Sequence, residues 1–332
     1  MFHAVVQDFV SCGHDVTASV DQRLFTESQL TGLGSRFRVS STVGFTNGLP
    51  SNWWEIASTA DAVLVIAPEF SNILQTAVAQ LAPVCKLLLN CQDPFLASSC
   101  DKWLTAQQLK AASVTHPATR LARDATEDWL QKHRNAAGEW IVKPRDGAGC
   151  EAIRLLDQYS LKEALRELQQ SDLATKLLLQ PCEVGDSFSR SAIVDFTGHS
   201  HWLPLVTQEF TEGDSMTYCG GQVLSVGDGY YENRLSGRRY AIDRLNAVLN
   251  ATLAALGQGA RGWVGVDLLY SDEWDDWIVI EVNPRLTTSF TGLSRSYGQG
   301  LMEQMLLSGL GREVAIRPTW KTVPFKANGS DS

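Results

Sequence analysis

The chain has 332 residues, 44% of them hydrophobic, and a formal net charge of −9. That size and apolar content suffice for a buried core spread over two or three domain-sized units. The acidic balance speaks against nucleic acid or an anionic membrane surface as the main partner, and no apolar run reaches the roughly 18 residues of a transmembrane helix.

In chain order, residues 1–12 pattern as an amphipathic helix closed by Gly13. This opening carries Asp8 and no basic stretch, so it does not read as a signal peptide. Residues 15–20 pattern as a short strand, Asp61–Ala67 as a fully buried strand, 71–82 as a helix and Lys86–Asn90 as another strand. Alternating strands and helices predict an open, doubly wound α/β unit over residues 1–94. Such a unit normally opens on a strand, so either the natural start lies upstream or the sheet is one strand short.

A connector with a helix near 101–112 follows. Trp140–Lys143 reads as a strand, the segment 144–149 as a glycine-containing turn and 152–156 as the returning strand. Ser160 and Glu163 form a capping box for a helix reaching about 170. Residues 177–180, 187–196 and 201–206 pattern as strands, and 240–257 and 295–308 as helices. The polar, glycine-rich stretch 207–235 reads as a long loop, and the tail 328–332 as disordered. The expected organisation is 1–94, a small unit over 95–185, and an α+β unit over 186–327. Seven scattered cysteines with no C-x-x-C pair fit a reduced, cytoplasmic setting.

The strongest chemical signal is Ile278-Val-Ile-Glu-Val-Asn-Pro-Arg285. Side chains alternate along a strand, so Glu281, Asn283 and Arg285 share one face. A carboxylate beside an amide oxygen suits a hard cation, and a guanidinium two residues on suits phosphate or carboxylate. Pro284 takes the chain out of the ladder. The preceding strand around Gly262–Tyr270 carries Asp267, a third oxygen ligand. Further upstream, Lys143 precedes a loop containing Gly147 and Gly149, where backbone N–H groups can approach an anion. Alone, an ordinary hairpin with a solvated lysine accounts for that loop equally well. Lys102, at the start of a helix, is a second candidate phosphate ligand, with a plain helix N-terminus favoured by Asp101 as the simpler reading. The strand end Gln180–Glu183 is a candidate adenine edge, or simply a strand followed by a turn. His199 and His201 share a strand face without a third ligand nearby, which favours an exposed pair over zinc.

Taken together and in this order, these segments resemble the ATP-grasp superfamily over roughly residues 60–310. The resemblance implies an ATP-grasp fold behind a pre-ATP-grasp domain. By that resemblance, Lys102 and Lys143 contact ATP phosphates, with Gly147, Ala148 and Gly149 as the lid. Gln180, Pro181, Cys182 and Glu183 hold the adenine. Asp267, Glu281 and Asn283 hold magnesium, for which manganese can substitute, and Arg285 and Lys143 act on the transferred phosphoryl group. The family often has an acidic residue where Gln180 stands and a ribose-binding glutamate where Asp186-Ser187 stands, so the ribose contact is open. A narrower resemblance, carried by the segment 281–289, Glu69 and Gly220-Gly221, is to the branch containing tyramine–glutamate ligase of methanofuran biosynthesis. It implies substrate contacts at Glu69, Thr287, Thr288 and Ser289. The implied activity is ATP-dependent joining of an amino-acid carboxylate to an amine through an acyl-phosphate. A small-molecule kinase and a nucleotide-binding regulator remain as alternatives. The sequence leaves the oligomeric state open, with a homodimer, common among such enzymes, as one option.

Overall fold

The computed structural model describes residues 1–20, 32–41, 44–46, 48–134, 138–147, 153–211, 217–227, 229–233, 238–271, 273–298, 300–316 and 322–327. Helix α1 (Phe2–Ser11) buries Val5, Val6 and Asp8 and ends at Gly13, whose φ of +92° suits a residue without Cβ. Strand β1 (Val16–Val20) pairs in parallel with β2 (Phe37–Ser41). A small hairpin, β3 (Phe45–Thr46) and β4 (Leu49–Pro50), leads into α2 (Trp53–Thr59).

The two strands expected at 61–67 and 86–90 are reduced to one parallel bridge, Val63 to Leu88. The reason is Asn90. Its side-chain amide accepts from Val65 N–H and donates to Val65 O, both at 2.8 Å, and so replaces the next rung of the ladder. The run is not fully buried either, since Ile66 is 37% exposed. Helix α3 (Ile73–Leu81) connects the two segments and buries Leu74, Ala77, Val78 and Leu81, an i, i+3, i+4, i+7 stripe.

Helices α4 (Phe95–Cys100) and α5 (Lys102–Ala111) break at Asp101, whose carboxylate accepts from Trp103 and Leu104 N–H and caps α5. The small unit then runs through β5 (Arg120–Leu121), α6 (Glu127–Lys132), β6 (Trp140–Pro144), β7 (Arg154–Leu156), α7 (Gln158–Gln169) and β8 (Leu177–Pro181). Its sheet is antiparallel in the order β5-β8-β6-β7. It has its own core of Trp129, Trp140, Val142, Leu161, Leu165 and Leu179. Helix α7 starts earlier than the capping box implies, because Asp157 rather than Ser160 is the cap. Its Oδ1 accepts from Ser160 N–H at 2.8 Å and Ser160 O–H at 2.7 Å.

The C-terminal unit comprises β9 (Gly185–Val194), β10 (Ser200–Thr207), β11 (Glu209–Phe210), β12 (Tyr218–Val223), β13 (Val226–Gly227), β14 (Tyr230–Asn233), β15 (Arg238–Ala241), α8 (Ile242–Ala255), β16 (Gly262–Ser271), β17 (Asp276–Asn283), α9 (Phe290–Tyr297), α10 (Leu301–Gly309) and β18 (Val323–Lys326). Its main sheet runs β11-β12-β10-β9-β16-β17, with β18 beside β12. The expected loop at 207–235 therefore contains sheet strands. The expected helix at 295–308 is two, separated by Gly298 and Gly300 with φ of +86° and +87°. Val264, Val266 and Leu268 share a core with α3, α4 and α8. Trp263 and Ile193 pack with α9, α10 and Val5 of α1 in a second core. No helix among the described residues is long and apolar enough to cross a membrane.

Candidate functional site

The site begins as two rows across three neighbouring strands. Ser189 on β9, Asp267 on β16 and Glu281 on β17 lie directly opposite one another. Ser191, Gly265 and Asn283 form the next row. Opposed residues of an antiparallel ladder project to the same face, so the carboxylates meet there. Asp267 is well held: Gln208 Nε2 donates to Oδ1 at 3.1 Å and Asn283 Nδ2 donates to Oδ2 at 3.0 Å. Burial pushes Asp267 up to about 6, the Glu281 charge adds to this, and hydrogen bonds from Ser189 and Asn283 with the Arg285 charge pull it back. For Glu281, burial acts upward but is outweighed by Lys102, Lys143 and Arg285, which hold it below the usual carboxylate range.

Cations arrive from α5, from β6 and from the turn just past β17. Lys102, at the start of α5, donates from Nζ to Gly147 O at 2.7 Å and lies 3.1 Å from Glu281 Oε1. Lys143, on β6, is 5% exposed and adds its charge to Glu281. A bidentate pair braces them. Arg145 donates from Nε to Asp101 Oδ1 at 3.2 Å and from its terminal nitrogen to Asp101 Oδ2, while Lys102 N–H donates to Arg145 O at 2.9 Å. Asp101 and Arg145 thus fix the two lysines relative to each other. Sequence reading passed over this pair because its members lie 44 positions apart.

Arg285 faces Glu69, with Nε 2.7 Å from Oε1. Thr287 and Ser289 bond to each other at 2.8 Å and contact the Ser191 hydroxyl, and the Trp263 indole donates to Thr287. Their hydroxyls brace the segment beneath the carboxylates, whereas Thr288 is only half-buried. Gly265 makes room for this: a Cβ there would stand 2.5 Å from Thr287 Cγ2.

A cleft beside this face is lined by Ser99, Lys102, Thr105, Leu109, His116, Pro117, Lys143, Gln180, Ile280 and Glu281. Gln180 is buried and donates to Thr119 Oγ1 at 2.8 Å. Pro181 pairs with Trp140, and Cys182 N–H donates to Glu139 O at 2.9 Å. Glu183 is half-buried, and burial, then Glu273, raises its carboxyl. Of the expected lid, Gly147 has a φ of +137°, and Ala148 and Gly149 lie outside the described residues. His116, whose imidazole is pushed down by burial, and Gln208 had no sequence signal because each sits in a stretch without periodicity.

All metal candidates are oxygen donors, which fits a hard divalent cation. Two carboxylates side by side, one of them pushed up by burial and then by the other's charge, fit it as well. Among the described residues no further carboxylate, His or Cys joins them as a third ligand, which leaves remaining positions to amide, water or phosphate oxygens. His201 is paired with Asp195 at 3.2 Å and takes no part.

Comparison with known families decides the fold. A model of the ATP-grasp domain matches residues 99–289, more than half the chain, and one of the pre-ATP-grasp domain matches residues 34–94. The chain belongs to the ATP-grasp family. Its pre-ATP-grasp and ATP-grasp parts together account for the α/β and α+β architecture described above. Among solved structures, it is similar to a protein from Archaeoglobus fulgidus assigned to the ATP-grasp superfamily, with 22% identity and a TM-score of 0.63 over 97% of this chain and 82% of that one. It is also similar to N5-carboxyaminoimidazole ribonucleotide synthetase from Thermus thermophilus, at 15% identity and a TM-score of 0.68 over 96% and 78%. L-amino acid ligase from Bacillus licheniformis gives 16% and 0.65 over 95% and 74%. No curated protein sequence matches the chain.

Proposed function

We propose that this ATP-grasp protein is an ATP-dependent carboxylate–amine ligase. One observation carries the reading: Lys102, Lys143 and Arg285 converge on a half-buried pair of carboxylates, Asp267 and Glu281, beside a cleft. An L-amino acid ligase among the structural neighbours supports the reaction class.

In this reading the ATP phosphates lie against Lys102 and Lys143, which leave Glu281 to meet them. Asp267, Glu281 and Asn283 would hold magnesium. When bound, magnesium supplies charge neutralisation on the phosphates and orients them. A substrate carboxylate oxygen attacks the γ-phosphorus and ADP leaves. Arg285 and Lys143 stabilise the negative charge on the transferred group, positioned beforehand so that little reorganisation is needed. A neutral amine then attacks the acyl carbon, phosphate departs, and the nitrogen loses a proton to give the amide. The acyl-phosphate must be kept from water, which would otherwise hydrolyse it before the amine arrives.

Glutamate with an aromatic amine such as tyramine is the first pair to test, on the strength of the sequence resemblance to one-carbon cofactor ligases. The test is ADP release with magnesium and ATP across a matrix of amino acids and amines, with mass spectrometry of the products. The expected result is ADP and phosphate formed only when carboxylate and amine are both present, with an adduct lighter than their sum by one water. A phosphoester product, or ADP release indifferent to the amine, would overturn it.

A further inference from the structure

His116 has no part in the transfer steps of the ligase reading, yet it lines the same cleft as Lys102, Lys143, Gln180 and Glu281. Its place along the cleft is set by β17, where Val279 N–H donates to Thr115 O at 2.9 Å. Glu281, two residues further along β17, marks the end where Lys102 and Lys143 meet phosphates. Gln180 lies opposite Ile141, two positions before Lys143 on β6. His116 and Gln180 therefore stand away from the phosphate end, where the base of the same nucleotide must lie.

Hydrogen bonds fix which atom each of these two side chains can offer. His116 Nδ1 lies 2.9 Å from Val114 O. A carbonyl only accepts, so the ring proton is on Nδ1 and Nε2 carries a lone pair. Burial, helped by the Lys110 charge, pushes the imidazole down against the pull of the Val114 bond, which keeps the ring neutral. At Gln180 the lock has two steps. The Thr119 hydroxyl donates to Pro117 O at 2.8 Å, so its proton is spent and it can only accept from Gln180 Nε2, also at 2.8 Å. A free amide can turn over and exchange donor for acceptor; here Thr119 holds the nitrogen, and Oε1 is on the other side. Two lone pairs at the base end describe the group they take. An exocyclic amino group offers two N–H donors, whereas an oxo group in its place sets further lone pairs against them. We propose that His116 and Thr119 set the base specificity of this protein: His116 Nε2 takes one hydrogen of the base's amino group, and Thr119, a positioning residue, locks Gln180 so that its Oε1 takes the other. This deepens the ligase reading and rests on its placement of ATP.

The test is binding, measured by calorimetry on the whole protein with magnesium. The probes are the β,γ-imido analogue of ATP and its inosine counterpart, which differ only at the amino or oxo edge of the base. The adenosine form is expected to bind roughly 10- to 100-fold tighter, the size of a mismatch at buried polar groups. Thr119→Val keeps the shape and frees the Gln180 amide to turn its nitrogen to an oxo group, so the ratio should fall about 10-fold, mainly through a gain by the inosine form. Thr119→Ser keeps the lock and should keep the ratio, and His116→Phe should lower it by removing one lone pair. A merely structural role would weaken both nucleotides together and leave the ratio unmoved. Equal affinities in the unaltered protein, binding of neither analogue, or an undiminished ratio in Thr119→Val or His116→Phe would overturn the assignment. Because binding needs no turnover, the ligase reading fails separately: a Thr119-dependent preference without amide product sinks the ligase alone, and amide formed equally well with ATP and its inosine counterpart sinks this assignment alone.

Discussion

Glu281 is the point where three cations meet. Lys102 touches it directly, and Lys143 and Arg285 reinforce its negative charge against the cost of burial. Glu281→Gln keeps the shape and removes the charge; kcat/KM for ADP formation should fall about 100-fold or more, the scale of a single group stabilising a transition state, while thermal unfolding shows the fold retained. The buried thiols give a second residue-scale expectation. Burial pushes Cys91 up to about 12, and burial, then the nearby Glu69 charge, also raises Cys100. At pH 8 almost no thiolate exists at either, so iodoacetamide should label exposed Cys219 in the native protein and reach Cys91 and Cys100 only after denaturation. Alternation along β16 and β17 made Asp267, Glu281, Asn283 and Arg285 legible as one constellation. The contact of Arg285 with Glu69 was not, since it joins units 216 positions apart by numbering (285 − 69) and leaves no periodic trace.

Among elements, α1 shows how one side chain ties the chain's beginning to its end. Asp8 accepts from Gly300, Leu301 and Met302 N–H at 3.1, 3.2 and 3.1 Å, at the N-terminus of α10. These are the orphan donors of a helix start, and a carboxylate there also suits the helix dipole. Asp8→Ala should cost about 1–3 kcal/mol, read as a lower denaturant midpoint with an unchanged slope. The apolar stripe of α1 was visible in the sequence; its cap on α10 was not. The same division holds for Asp61–Ala67 and Lys86–Asn90. Their apolar content marked both as strands, and one parallel bridge joins them, but Asn90 replaces the rest of the ladder with side-chain bonds that no propensity encodes. The stretch 207–235 was misread because its strands are short and rich in glycine. Gly221, for example, has no room for a Cβ, which would stand 1.8 Å from Thr207 O.

At the scale of the molecule, the N-terminal segments and the large sheet fold as one body with a common core. Gly262, at the start of β16, is where they press closest. Its φ is +61°, and a Cβ there would stand 1.9 Å from Leu89 O. Gly262→Ala must push the two apart, and a loss of about 2–4 kcal/mol is expected, in the range of the larger single-site effects, measured by chemical denaturation. Lys102 carries a consequence of another kind. With its ammonium on Glu281 and Gly147 O, Lys102 gives the site an internal counter-ion. In the ligase reading, free divalent ions would compete with that internal cation, whereas a nucleotide would draw Lys102 toward its phosphates and uncover Glu281. Order of addition should therefore matter: magnesium alone should bind weakly by calorimetry, magnesium after an ATP analogue tightly, and Lys102→Met should strengthen binding of the bare ion while weakening that of the nucleotide. A metal would then enter together with the nucleotide, which couples metal occupancy to the ATP pool.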